Sequence, residues 1–107
     1  MNTVGLALTP TMQDVFTTPD GYIRYVTMIH VSNVDGVNPV DVTVQWTDHD
    51  RSDAVTSLVY LLTVKPKDSR PAVTGAFALM SGDKLQMNAS ASGDAEATVT
   101  YYDEAVA

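Results

Sequence analysis

Along this chain apolar and polar positions alternate with a period of two in one segment after another. No segment shows the 3.6-residue period of an amphipathic helix. The clearest alternation spans residues 40–47, where Val40, Val42, Val44 and Trp46 share one face and Asp41, Thr43, Gln45 and Thr47 the other. Residues 22–34 form the longest β-prone run. Ile23, Tyr25, Thr27, Ile29 and Val31 fall on one side, and Arg24, Val26, Met28, His30 and Ser32 on the other. That second side is only partly polar, which predicts that something covers it. Residues 57–64 are apolar on both faces, with Leu58, Tyr60, Leu62 and Val64 opposing Val59, Leu61 and Thr63, the pattern of a central or interface strand. In 76–102, three short apolar runs are separated by Ser81-Gly82-Asp83 and Ser92-Gly93-Asp94, which reads as an antiparallel β-meander.

Two shorter β-prone runs, 3–8 and 14–17, precede these. The first stops at Thr9-Pro10, and because proline cannot donate to a ladder, residues 1–12 read as an edge strand or an arm. Turn chemistry at Thr18-Pro19-Asp20-Gly21, at 33–39, at 48–53 and at the proline-bracketed 65–71 separates the remaining runs. About eight short strands at even spacing predict one all-β domain: a single antiparallel β-sandwich, jelly-roll or Ig-like. In that arrangement Val26 and Met28 on the long run, and Val59 and Leu61 on the double-sided run, are the expected interface residues. If residues 1–12 are an arm, their deletion should spare the fold and weaken assembly.

Composition narrows the function. The 107 residues suit one domain, and 45% hydrophobic with 18% charged residues is globular composition. The absence of cysteine excludes a disulfide framework, a thiolate metal site and a cysteine nucleophile. Thirteen acidic against six basic side chains give a net charge of −7, which repels nucleic acid and anionic lipid, so neither is an expected partner. No apolar run approaches the roughly 18–20 residues of a membrane span, and residues 1–16 lack the pattern of a secretory leader. The chain is expected to be soluble and made in a cytoplasm.

Candidate chemistry is sparse. Asp48, His49, Asp50 and Asp53 bring three carboxylates and an imidazole within six residues, donors suited to a hard cation such as Ca²⁺. Their spacing departs from the EF-hand loop, and a solvated hairpin loop is the preferred reading. His30, mid-strand on the mixed face, is either a pH-sensitive interface group or, the preferred reading, a half-exposed strand histidine. Asn88-Ala89-Ser90 matches the glycosylation pattern but sits inside a strand. Trp46, Tyr60, Tyr101 and Tyr102 are candidate sugar-stacking rings. Trp46 and Tyr60 share faces with Val and Leu and are expected in the core, which leaves Tyr102, beside Asp103 and Glu104, as the exposed one. No nucleotide-binding glycine loop and no nucleophile elbow occurs, so no catalytic residue and no cofactor is assigned.

Several of these pieces together resemble small virion proteins of tailed bacteriophages. The matching segments are Thr17-Thr18-Pro19-Asp20-Gly21, Ile29-His30-Val31-Ser32-Asn33, Val42-Thr43-Val44, Tyr60-Leu61-Leu62 and Val64-Lys65-Pro66. They continue with Leu79-Met80-Ser81-Gly82-Asp83-Lys84-Leu85, Ala89-Ser90 and Glu104 near the end. The resemblance covers most of the chain from about Val15. It implies a non-enzymatic β-sandwich subunit of a capsid, neck or tail (decoration, cement or accessory protein) present in symmetric copies. Its partners would be itself and other virion proteins (capsid, portal or neck, tail), and its place the virion, assembled in the host bacterial cytoplasm. The second reading is a carbohydrate- or receptor-binding module of a fibre, which needs an exposed ring beside paired polar groups. A small β-fold enzyme is the third, with no motif behind it. Gly82-Asp83 has a folding role in this pattern: glycine permits φ > 0 and aspartate satisfies local backbone donors.

Overall fold

Nine strands follow one another in the computed structural model, which describes residues 1–106. They are β1 (Asn2–Ala7), β2 (Gln13–Thr17), β3 (Tyr22–Asn33), β4 (Val40–Asp48), β5 (Ala54–Val64), β6 (Ser69–Val73), β7 (Phe77–Leu79), β8 (Lys84–Ala89) and β9 (Ala95–Ala105). One 3-10 turn, His49–Arg51, joins β4 to β5. The β4–β5 hairpin is the only pairing between consecutive strands among the described residues, and the other pairs nest around it. β3 pairs with β6 and β7, β2 with β8, and β1 with β9, all antiparallel. This long ribbon rolls up as β9 docks on β3 and β8 on β4. The result is two sheets, β1-β9-β3 bordered by β6 and β7, and β2-β8-β4-β5. Nested pairing rolled into two sheets is the jelly-roll form of the β-sandwich.

The stretch 76–102 is therefore not a meander. β7 and β9 both pair with β3 in one sheet, and β8 lies in the other. Alternation decides which face a strand buries but not which neighbour it pairs with, so both Ser-Gly-Asp turns cross between sheets instead of closing hairpins. Residues 69–71, the end of the expected 65–71 turn, belong instead to edge strand β6, where Pro71 is tolerated because one side needs no donors. β5 is also an edge rather than a central strand.

A β-bulge divides β3. Against β9, Val26 faces Tyr101 and Met28 faces Thr100, so Thr27 is the extra residue; its Oγ1 donates to the Thr100 carbonyl at 3.1 Å. One added residue reverses every later side chain. Arg24 and Val26 point inward before the bulge, and Ile29, Val31 and Asn33 after it. The uninterrupted alternation expected for 22–34 thus holds only within each half.

The core lies between the sheets, with Val26, Val44, Leu79, Leu85, Met87 and Val99 wholly buried. Residues 1–12 belong to it: β1 is paired with β9 along its whole length, Val4 and Leu6 pack on the core, and Leu8 is wholly buried. Their removal is expected to cost the fold rather than spare it.

Buried polar side chains hold the two ends. At one end the Asp83 carboxylate accepts from the backbone N–H of Met80 and of His49, both at 2.9 Å, while its carbonyl accepts from Thr18 at 2.8 Å. Three connections, β2–β3, β4–β5 and β7–β8, are thus tied at one residue. Gly82 beside it has φ +85, and a Cβ there would lie 2.6 Å from the His49 ring. At the other end the Asn33 amide donates to the carbonyls of Asn38 and Val64, both at 3.0 Å, and its oxygen accepts from Asp35 N–H at 2.8 Å. Asp83→Ala leaves two backbone donors without their acceptor, and is expected to destabilise the fold by about 2–3 kcal/mol. Urea unfolding of the purified variant checks this; an unchanged midpoint would show that Asp83 holds nothing together.

Candidate interaction surface

A sandwich meets its surroundings through two outer faces, two ends and four strand edges. On the outer face of β2-β8-β4-β5 the polar side chains pair with one another. Gln45 donates to Gln86 at 2.7 Å, Gln86 donates to Asp14 at 2.7 Å, and Thr63 donates to Asp41 at 2.7 Å. On the outer face of the other sheet Tyr25 and Tyr102 stack with centroids 4.9 Å apart. The negative charge of Glu104 beside Tyr25 raises the pKa of its hydroxyl. Tyr102 is exposed, as expected, with one face of its ring covered by Tyr25. A shallow depression of about 360 Å³ over Gly5, lined by Ser32, Glu96 and Thr98, is open to solvent.

The edges differ more. β2 and β6 have five residues each, and β6 carries Pro71. β1 has six, alternating half-buried and exposed. β5 has eleven, without proline, and exposes large apolar side chains: Val55 at 55%, Tyr60 at 73% and Leu61 at 51%. Two irregularities in its pairing with β4 accompany the exposure of Tyr60 and Leu61, while Val55 pairs regularly with Thr47. Tyr60 and Leu61 together oppose Thr43, and Leu58 is an extra residue between the Val44–Val59 and Gln45–Ser57 pairs. Leu61 takes a left-handed backbone, φ +53, with its N–H donating to Thr43 Oγ1 at 3.2 Å. A bulky side chain at positive φ is strained, and here it is held by that bond. Tyr60, expected in the core from its alternation with Leu58 and Leu62, points into solvent because the bulge breaks that alternation.

The four expected interface residues consequently part company. Val26 is wholly buried in this chain's own core, so it is corrected from interface to core; the Thr27 bulge is the reason. Met28 faces outward and is exposed on the other sheet. Val59 is half-buried against the core and Leu61 is exposed, both on β5. His30 is half-buried on the outer face opposite Thr98.

The carboxylates of residues 48–53 do not converge. Asp48 faces Arg51 at 3.6 Å and Asp53 faces His49 at 3.7 Å, while Asp50 is exposed. Among the described residues no three such side chains are grouped to hold a metal ion.

One charged constellation escaped sequence reasoning. Arg24, buried between the sheets, makes a bidentate pair with Asp103, Nε to Oδ1 at 2.7 Å and Nη2 to Oδ2 at 2.8 Å. Its guanidinium lies 4.6 Å from the Phe16 ring centroid and 4.0 Å from that of Tyr101. Phe16 comes from one sheet and Tyr101 from the other, so the cation pins the two sheets through its ring faces. The Arg24 hydrogen bonds hold the Asp103 carboxyl below the usual carboxylate range. A depressed folded-state pKa adds stability above the unfolded-state value, lost as pH falls through the folded-state value. The fold is therefore expected to lose this contribution below about pH 4, the ordinary aspartate range. Asp103→Asn, which leaves Arg24 buried and unpaired, is expected to cost about 2–3 kcal/mol at pH 7 and to flatten that acid loss. Urea midpoints from pH 2 to 7 for both proteins check this; parallel curves would overturn it.

No family model matches the chain, and no curated protein does. Solved structures do. The subunit of Bacillus endospore appendages, a family of disulfide-linked pili, superposes with a TM-score of 0.54 at 12% identity, over 99% of this chain and 85% of that one. A pentameric capsid protein isolated from metagenomic phage sequences superposes with a TM-score of 0.51 at 20% identity, over 97% of this chain and 63% of its own. This chain thus spans about three fifths of that capsid protein's length. At these identities the likeness establishes the fold alone, a β-sandwich. This chain has no cysteine and so forms no disulfide.

Proposed function

We propose that the chain is a non-enzymatic structural subunit of a bacteriophage virion, a capsid decoration or cement protein or a neck or tail accessory, acting through protein–protein contacts. The observation that carries this reading is that one edge strand, β5, exposes three large apolar side chains, Val55, Tyr60 and Leu61. Apolar side chains on a strand edge serve lateral contact with another protein. The turn pattern of tailed-phage virion proteins and the shared fold with a phage capsid protein support it. The net charge of −7 fits a position away from packaged DNA. Its partners are then copies of itself and other virion proteins.

The test is composition of purified particles. In phage virions banded on a density gradient, the chain is expected to co-migrate with capsid and tail proteins, at a copy number that is a multiple of the symmetry axis it occupies. Abundance in the lysate together with absence from the particles would end this reading.

One observation favours the second reading, a carbohydrate- or receptor-binding module. Tyr60 is 73% exposed and offers an open ring. If sugar is bound there, Tyr60→Ala is expected to abolish retention on a glycan array while leaving the melting temperature within a few degrees. Wild-type chain that is retained by no glycan would remove this alternative.

A further inference from the structure

Strand β5 carries opposite charge at its two ends. The loop entering it holds Asp48, Asp50 and Asp53 with Arg51, a net −2. The turn leaving it holds Lys65, Lys67 and Asp68, and Arg70 follows on β6, a net +2. Of the six basic side chains, Arg24, Arg51 and Lys84 face carboxylates within the chain. Among the described residues Lys65, Lys67 and Arg70 make no ion pair. The basic side chains that make no ion pair are thus gathered at one end of its most exposed edge, where Arg70 also donates to the Thr63 carbonyl at 3.1 Å. Between the two ends lie the exposed Val55, Tyr60 and Leu61.

An edge that discourages association carries like charge or polar side chains along its length. β5 has the reverse: an apolar middle and ends of opposite sign. Such a strip is complementary to itself when one copy is turned end for end, because each acidic end then meets a basic end and the apolar middles meet each other. Turning end for end is a two-fold operation, and a contact of this kind closes as a dimer.

We infer that β5 is a self-association edge: two copies of this chain meet along β5, antiparallel about a two-fold axis near its middle, joined by Tyr60, Leu61 and Val55 and steered by the charged ends. The bulges at Leu58 and at Tyr60–Leu61 interrupt a continuous backbone ladder between copies, so side chains make most of the contact. The bulge that guards the strand against open-ended sheet extension also turns Tyr60 and Leu61 outward. This inference rests on the reading of the chain as an assembling subunit and names the surface that such a subunit uses.

The test is native mass of the full chain by light scattering or sedimentation across a concentration series at low salt. Wild type is expected to reach twice the 11.5 kDa monomer. Lys65→Glu/Lys67→Glu gives both ends of β5 negative charge, and Asp50→Lys/Asp53→Lys gives both ends positive charge. Each variant alone is expected to stay monomeric, and an equimolar mixture to recover the dimer mass, because each all-acidic edge then meets an all-basic one. Association should also weaken near 1 M salt, where the Debye length falls to about 3 Å.

Leu61→Gly separates contact from folding. Glycine relieves the φ of +53, so the melting temperature is expected to rise, while loss of the exposed leucine from both copies weakens the dimer by about tenfold or more. Wild type that is monomeric throughout, a dimer indifferent to both charge reversals, a mixture that stays monomeric, or a Leu61→Gly dimer as tight as wild type would each overturn the inference. The virion reading stands or falls separately, on the composition of purified particles.

Discussion

The bulge at Thr27 is the constraint on which the rest of the sandwich depends. β3 is the longest strand, and it is bordered by β9 on one side and by β6 and β7 on the other. Its alternation must serve two stretches of core at once. With no extra residue, either Arg24 and Val26 or Ile29, Val31 and Asn33 would face solvent, because the side-chain period is two and the two sets differ in parity. The extra residue lets both sets point inward. It delivers Arg24 to the space between Phe16 and Tyr101, and Asn33 to the opposite end, where it ties the β3–β4 connection to the end of β5. It also turns Met28 and His30 outward, so one local irregularity decides both the core and the outer face.

The polar interior follows from the topology. Consecutive strands cross between sheets at most connections, so only the β4–β5 hairpin holds chain neighbours together, and each crossing leaves backbone donors and acceptors at the ends of the sandwich. Asp83 and Asn33 satisfy those groups, one at each end, and each reaches segments distant in sequence. The Arg24–Asp103 pair has a different task. Arg24 is nearly buried, and a cation there would be costly alone; its two hydrogen bonds to Asp103 and the two ring faces make the site acceptable. Buried charge of this kind contributes little net stability but strongly penalises any arrangement that separates its partners.

The strands themselves were legible in the sequence, because alternation between turn residues is a local signal, and burial follows it faithfully in β8 and β9, while in β4 Thr43 and Thr47 of the polar face are buried as well. The Gly82-Asp83 turn was legible for the same reason, its chemistry being local. Pairing was not. Residues 76–102 look like three neighbouring strands, and only the folded chain shows β8 lying in the opposite sheet from β7 and β9. Bulges were invisible too. Thr27 and Leu61 are ordinary β-formers with no glycine to mark the irregularity, yet each reverses the direction of the residues after it. The bulges account for Val26 lying in the core rather than at an interface, and for Tyr60 lying in solvent rather than in the core. The double-sided apolarity of 57–64 suits a central or an interface strand, and the structure removes the first, because β5 is an edge.

Fold alone does not choose among the functions a jelly roll can carry; the state of its surface groups does. On the outer face of β2-β8-β4-β5, where a ligand would lie flat, Asp14, Gln86 and Gln45 already satisfy one another across three strands, and Asp41 is bonded to Thr63. A ligand there would have to displace bonds that cost the protein nothing to keep. On the opposite face the two tyrosine rings best placed to stack on a sugar stack on each other. Along β5 the situation is reversed. The outer side of the strand has no sheet partner, and its bulges raise Tyr60 and Leu61 into solvent at the cost of a strained backbone. Apolar side chains exposed together gain most when another protein covers them, which is why the proposed reading places contact along this edge.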